Sequence, residues 1–165
     1  MRNGGERRLS FAEAVRATED VKDGYQRGLG ALPGKYRSYI ELGNGSHCDG
    51  SLNIDDVTSA KYPQDPRWDY AFDCNSETFF VEVHPASTSD VAGMIRKLAW
   101  LKSWLVDRAP ELNKLKAVST ATPYYWIASG KVAIPKTSPQ YRSAVKHGIS
   151  PIRRWIYDRL PKRDR

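Results

Sequence analysis

The strongest chemical signal in this chain is a pair of acids and a histidine on an alternating stretch. From Arg67 to Pro85 apolar and polar residues alternate at period two, and Asn75-Ser76 stands where a two-residue hairpin turn belongs. Folding about that turn sets Phe72 against Phe79, Tyr70 against Val81 and Trp68 against Val83, which makes one face a core face. The other face carries Asp69, Ala71 and Asp73 on one strand and Thr78, Phe80, Glu82 and His84 on its partner. In this register Asp69 lies directly opposite Glu82. Opposed Cβ atoms are ~4.5–5.5 Å apart, where like charges repel. A divalent cation between the carboxylates, an arginine, or protonation of one acid would each relieve that repulsion. His84 points the same way, two residues beyond Glu82. A one-residue slip would part the acids and ruin the apolar face, so the core argues for this register. The competing reading of the second face is a solvated outer surface. Phe80 on that face, and a following helix that needs something to lie on, argue against it.

The elements that must hold these groups follow from caps and periodicity. Ser10-Phe11-Ala12-Glu13 is a capping box. Ala14, Val15, Thr18, Val21, Tyr25 and Leu29 then recur at helical spacing, predicting a helix over about 11–28. Residues 36–42 alternate as a strand, with a short helix as the alternative, and Ser51-Leu52-Asn53-Ile54-Asp55 reads as another short strand. Strands are expected at 68–73 and 78–84. A long helix is expected from about Ser89-Asp90 to just before Pro110, with the stripe Val91, Met94, Ile95, Leu98, Leu101 and Leu105. Residues 117–121 and 124–128 are apolar enough for strands, with Ser129-Gly130 a turn and 131–134 pairing back. Ser138-Pro139 and Ser150-Pro151 each place Ser at an N-cap and Pro at the first helical position, predicting two closing helices. This order describes a mixed α/β (α+β) domain with a central mixed sheet of about four or five strands flanked by helices.

The residues Arg67-Trp68-Asp69-Tyr70-Ala71-Phe72, a turn, Phe80-Val81-Glu82-Val83-His84-Pro85 and a long amphipathic helix resemble the PD-(D/E)XK, or restriction-endonuclease-like, nuclease superfamily. There an Asp on one strand is followed by Glu-x-Lys on the next and then by a helix. The likeness covers about residues 66–108 directly and, through an αβββαβ order, residues 10–128 more loosely. It implies Mg²⁺-dependent (or Mn²⁺-dependent) hydrolysis of nucleic-acid phosphodiester bonds, with DNA favoured over RNA as partner. It further implies that Asp69, Glu82 and the Val83 carbonyl hold the cation. The chain departs from the pattern at His84, which stands in the Lys position. A neutral imidazole serves as general base or ligates a softer metal, but supplies no fixed positive charge. Lys97, at the edge of the long helix, is the substitute that could reach the acids, with Lys102 as second choice. Glu13, Glu19 and Asp55 are candidate extra carboxylates. The alternative is a catalytically inactive nucleic-acid-binding or protein-interaction module on the same fold, the latter using Trp100, Trp104 and the basic tail.

Other constellations carry less. His47, Cys48, Cys74 and His84 match no zinc spacing. Gly28-Leu29-Gly30 lacks the strand and the later glycine of a phosphate loop. His147 before Gly148 reads as a cation at a helix C-terminus.

The charge is uneven. Residues 131–165 hold ten Lys/Arg and two Asp, whereas residues 1–130 hold sixteen basic and seventeen acidic side chains. The whole +7 balance thus sits in the last fifth of the chain, an electrostatic footprint for a polyanion. Arg153, Arg154 and Arg159 fall outside the expected stripe Ile152, Trp155, Ile156 and Leu160. The expected layout is a flexible arm over 1–9, one domain over 10–160 closed by basic helices over 138–160, and a basic tail over 161–165. No apolar run approaches the ~20 residues of a membrane span, and no apolar stretch follows the first residues as a secretory signal would. With two cysteines, a reducing cytoplasm is the expected compartment. Copy number stays open, a homodimer being one option.

Overall fold

A computed structural model describes residues 5–164; residues 1–4 of the expected arm and Arg165 of the expected tail lie outside them. The elements, in chain order, are α1 (Phe11–Arg16), β1 (Gln26–Arg27), α2 (Gly34–Arg37), β2 (Ile40–Glu41), β3 (Gly50–Asn53), α3 (Ile54–Thr58), β4 (Tyr70–Cys74) and β5 (Glu77–Ser87). They continue with α4 (Val91–Asp107), α5 (Pro110–Leu115), β6 (Tyr124–Ala133), α6 (Pro139–Lys146), β7 (Pro151–Ile152) and β8 (Trp155–Ile156). Six strands form one sheet in the order β1-β3-β4-β5-β6-β7, and β2 pairs with β8 beside it. The pairs from β1 to β5 are antiparallel, whereas β5-β6 and β6-β7 are parallel. The domain is therefore mixed α/β around a mixed sheet flanked by helices, with one or two more strands than the sequence suggests. No helix among the described residues is long and apolar enough to cross a membrane.

Both faces of the sheet are buried. One core gathers Phe11 and Val15 of α1, Met94, Leu98, Leu101 and Leu105 of α4, and Leu112 of α5 over Leu52, Ala71, Phe80 and Trp126. The second packs Tyr70, Phe72, Phe79, Val81, Val83 and Ile127 against Trp155, Ile40 and Leu32. The alternation of the β4-β5 ribbon thus reports two cores rather than a dry and a wet side. Phe72 pairs with Phe79 and Tyr70 with Val81, and the turn residues Asn75 (φ 53°) and Ser76 (φ 66°) adopt the left-handed region that a tight hairpin requires. Trp68 is the exception to the expected face. It precedes β4 and packs into the α4-side core.

Several elements differ from the sequence-based expectation for identifiable reasons. The first helix stops at Arg16 rather than near 28. Beyond it the Asp20 carboxylate turns inward to accept from Lys61, Tyr62, Trp104 and Arg108, holding 19–21 in a tight 3-10 turn. Residues 34–41 form a short helix, the alternative reading of this stretch, followed by a two-residue strand, instead of one strand. The stretch 124–133 is one strand, and its Ser129-Gly130 turn signal becomes a bulge. Ala128 pairs with His84 and Val132 with Ala86, so the extra residues bow out opposite Pro85, which has no N–H to donate. Residues 117–121 form a single isolated bridge, Thr120 with Lys162, instead of a strand.

The expected basic helices over 138–160 are half right. Ser138 caps α6 and Gly148 (φ +68°) lies past its end. After Ser150-Pro151, however, the chain makes β7, β8 and a 3-10 turn. The same Ser-Pro signal has opposite outcomes because Ile152, Trp155, Ile156 and Tyr157 favour extended backbone, and Pro151 suits the start of an edge strand. Trp155, fully buried, stacks edge-on against Phe72 and Phe79.

Candidate functional site

Asp69 immediately precedes β4, and Glu82 lies in the middle of β5, where the Tyr70–Val81 pairing brings the two together. Their side chains bond the partner strand's backbone reciprocally. The Asp69 N–H donates to Glu82 Oε2 at 2.8 Å, and the Val83 N–H donates to Asp69 Oδ2 at 3.1 Å. The Asp69 carbonyl meanwhile accepts from Ile54 at 2.8 Å and Asp55 at 3.3 Å. The main chain of Asp69 is thus tied to both of its neighbouring segments.

Glu82 points to the α4 side of the sheet and is fully buried. Lys97 reaches down from α4 and donates to Glu82 Oε1. Helical geometry places Lys97 at the edge of the buried stripe, where its stem lies along apolar surface and its ammonium meets the acids. Its side chain keeps 25% exposure. Burial and the neighbouring Asp69 push the Glu82 carboxyl up, to about 8, with Lys97 opposing. Burial likewise raises the Asp69 carboxyl against the pull of Lys97 and the Val83 N–H. Burial would lower the Lys97 ammonium, but Glu82 and then Asp69 outweigh it and hold the cation charged. One ammonium thus faces two poorly solvated carboxyls.

Asp55, at the start of α3, adds negative potential to both Asp69 and Lys97, while its own carboxylate is held by Arg67 Nε at 2.9 Å. Lys97 borders a cleft of ≈ 280 Å³ lined also by Pro66, His84, Asp90, Gly93 and Arg96. His84 Nδ1 sits 2.9 Å from the Pro85 carbonyl and 3.8 Å from Asp90 Oδ1. Asp90 is itself fixed by the Ser87 N–H and hydroxyl at the entry to α4.

Of the residues singled out from sequence, the structure brings together Asp69, Glu82, Lys97 and the main chain of Val83, with His84 at the cleft. It does not bring in Lys102, whose ammonium lies over the Tyr124 ring, nor Glu13 and Glu19, which pair with Arg7 and Lys22 at the surface. Trp100 and Trp104 are used internally. Trp104 is buried and donates to Asp20, and Trp100 stacks on it while donating to Asp65. Arg96 and Asp90 at the cleft were not singled out. Arg96 carried no signal beyond its place beside Lys97, and Asp90 was visible only as the expected start of the long helix.

The donor set suits a small hard cation. Two adjacent carboxylates offer only oxygen, and Mg²⁺ is commonly held by one or two carboxylates while keeping several waters. Among the described residues no cluster of three or more His, Cys, Asp or Glu forms a closed cage. Asp69 Oδ1 is engaged by no hydrogen-bond donor among the described residues, whereas both Glu82 oxygens are bonded. The chain matches no protein-family model, no curated protein and no solved structure.

Proposed function

We propose that this chain is a metal-dependent nuclease of the restriction-endonuclease-like kind, hydrolysing nucleic-acid phosphodiester bonds. The observation that carries the reading is the convergence of Lys97, from the helix after the ribbon, on the opposed acids Asp69 and Glu82. An acid pair with a lysine is what the phosphodiester chemistry asks for, and here the lysine comes from α4 rather than from the position of His84. The order α1, β3, β4, β5, α4, β6 supports the same reading.

In it, Asp69, Glu82 and the Val83 carbonyl would hold Mg²⁺ or Mn²⁺, which would polarise a phosphate and ease deprotonation of a water. Lys97, at the wall of the cleft, offers fixed positive charge to the developing charge on the phosphate oxygens. When His84 Nδ1 carries its proton toward the Pro85 carbonyl, Nε2 is left as a proton acceptor near the same cleft. Burial beneath α4 keeps bulk water from screening Glu82.

The full burial of Glu82, with both oxygens already bonded, favours a second reading. In it the Glu82–Lys97 pair is a structural contact within an inactive nucleic-acid-binding module. One experiment separates the two. DNA and RNA oligonucleotides are incubated with the protein and Mg²⁺ or Mn²⁺, with EDTA as control. The nuclease reading expects metal-dependent cleavage that is lost in Asp69→Asn and Glu82→Gln and falls on the order of 100-fold in Lys97→Ala. Salt-sensitive binding without any metal-dependent cleavage selects the inactive module.

A further inference from the structure

Every ion pair among the described residues joins side chains between Arg7 and Lys114. None involves a basic residue after position 130. Several acids of the first part pair with cations of that same part, as in Asp20 with Lys61 and Arg108 or Asp55 with Arg67. The excess of cations after residue 130 is therefore uncompensated in the fold itself.

The fold gathers part of that excess into one concave strip. A cleft of ≈ 640 Å³ lies between Ser38-Tyr39, the β6 bulge at Gly130-Lys131, and Arg153-Arg154 in the turn joining β7 to β8. A second cleft, of ≈ 370 Å³, shares Arg153 and Arg154 and continues past Tyr125 to Arg159. No acidic side chain lines either one. Arg153, Arg154 and Arg159 are exposed, and Arg154 makes only a long contact, 3.4 Å, to the Ser38 carbonyl. Ala128 of β6 pairs with His84, and Ile152, just before Arg153, pairs with Ile127. The strip thus begins at the same strand ends as the candidate site, two strands away from β5, or about 10 Å at ordinary strand spacing.

We propose that Lys131, Arg153, Arg154 and Arg159 form a track for the phosphate backbone of a nucleic acid. An elongated trough suits a linear polyanion, with the half-buried Tyr39 in its wall to meet sugar or base surfaces. It does not suit a flat lipid surface, and the most exposed large apolar side chains, Val106, Val118 and Val145, do not line it. The choice of polymer rests on the nuclease reading; the presence of an anion track does not.

The test is fluorescence anisotropy of labelled single-stranded and duplex oligonucleotides in EDTA, so that no cleavage is needed, with anionic phosphatidylserine vesicles as the competing ligand. The Arg153→Glu/Arg154→Glu double variant should weaken oligonucleotide binding at least tenfold. It should also flatten the salt dependence by about one unit of log–log slope per lost phosphate contact. Lys131→Glu should act in the same direction, and unchanged thermal unfolding of these exposed-site variants shows that the fold is intact. Binding of the wild type that is unaltered in both variants overturns the track, even if the metal-dependent cleavage assay succeeds. So does wild-type binding to vesicles but not to oligonucleotides at low salt. Loss of binding in the variants upholds it, even if the wild type cuts nothing.

Discussion

Lys97 lies fifteen residues after Glu82 and on a different element, yet its ammonium donates to Glu82 Oε1 beneath α4. Glu82 is fully buried, and Lys97 is partly open to solvent. Above about pH 8, where the raised Glu82 carboxyl is ionised, removing one partner of such a pair leaves an uncompensated charge, which costs roughly 3–5 kcal/mol in a closed interior. Because water reaches Lys97, Lys97→Met should lie near the lower end, about 3 kcal/mol by urea unfolding. The double variant Lys97→Met/Glu82→Leu should recover most of that loss. A single Lys97→Met variant as stable as the parent would mean that the pair contributes nothing to the fold.

The pH dependence has two opposed sources. Glu82, raised to about 8 from its ordinary 4.5, and Asp69, also raised, bind protons more tightly in the folded state than in the unfolded one. Their contribution is complete below the ordinary carboxylate range and is lost as pH rises toward 8. Asp20 has the reverse sign. Burial raises its carboxyl, but hydrogen bonds from Arg108, Lys61, Tyr62 and Trp104 more than offset this and hold it well below 3.8, so its contribution is lost on acidification. Thermal unfolding from pH 3 to 9 should therefore show stability falling at both ends. Glu82→Gln should flatten the alkaline limb, and Asp20→Asn the acid limb. An alkaline limb unchanged in Glu82→Gln would remove Glu82 as its source.

If Asp69 and Glu82 hold a cation, metal should stabilise the folded chain by mass action. At a concentration 100 times its Kd the gain is about 2.7 kcal/mol, or roughly 5–10 °C in Tm for a domain of this size. The shift should be larger at pH 8 than at pH 5, because protons compete for the same oxygens. It should vanish in Asp69→Asn. Equal shifts in parent and variant would place any bound cation elsewhere.

At the hairpin, Ser76 carries φ 66° without being glycine. A residue with a Cβ pays roughly 1 kcal/mol for that conformation. The role of Ser76 in the Arg8 contact is played by its carbonyl, which glycine retains. Ser76→Gly should raise stability by up to about 1 kcal/mol, read from the denaturant midpoint at constant slope. A destabilised variant would show that the serine side chain contributes something its geometry does not reveal.

Much of the site was legible before folding was considered. The alternation from Trp68 to His84 admitted one turn and one register that kept Tyr70, Phe72, Phe79, Val81 and Val83 on one face, and that register set Asp69 opposite Glu82. The long helix was equally plain, since Val91, Met94, Leu98, Leu101 and Leu105 repeat at helical spacing over seventeen residues. Local signals of this kind are readable because the side-chain period is fixed by backbone geometry alone.

What depended on the tertiary structure was everything that joins distant segments. Whether Lys97 or Lys102 would meet the acids turned on how α4 rotates over the sheet, and the five-residue offset between them sends Lys102 to the Tyr124 ring instead. The fate of Ser150-Pro151 was equally out of local reach. Its cap signal equals that of Ser138-Pro139, but the free edge of β6 and the cavity filled by Trp155 make a strand cheaper than a helix there. The chain alone determines which residues are apolar, charged or able to turn. Only packing decides which face is covered, because burial is a property of two surfaces meeting, and the second surface lies far away in sequence.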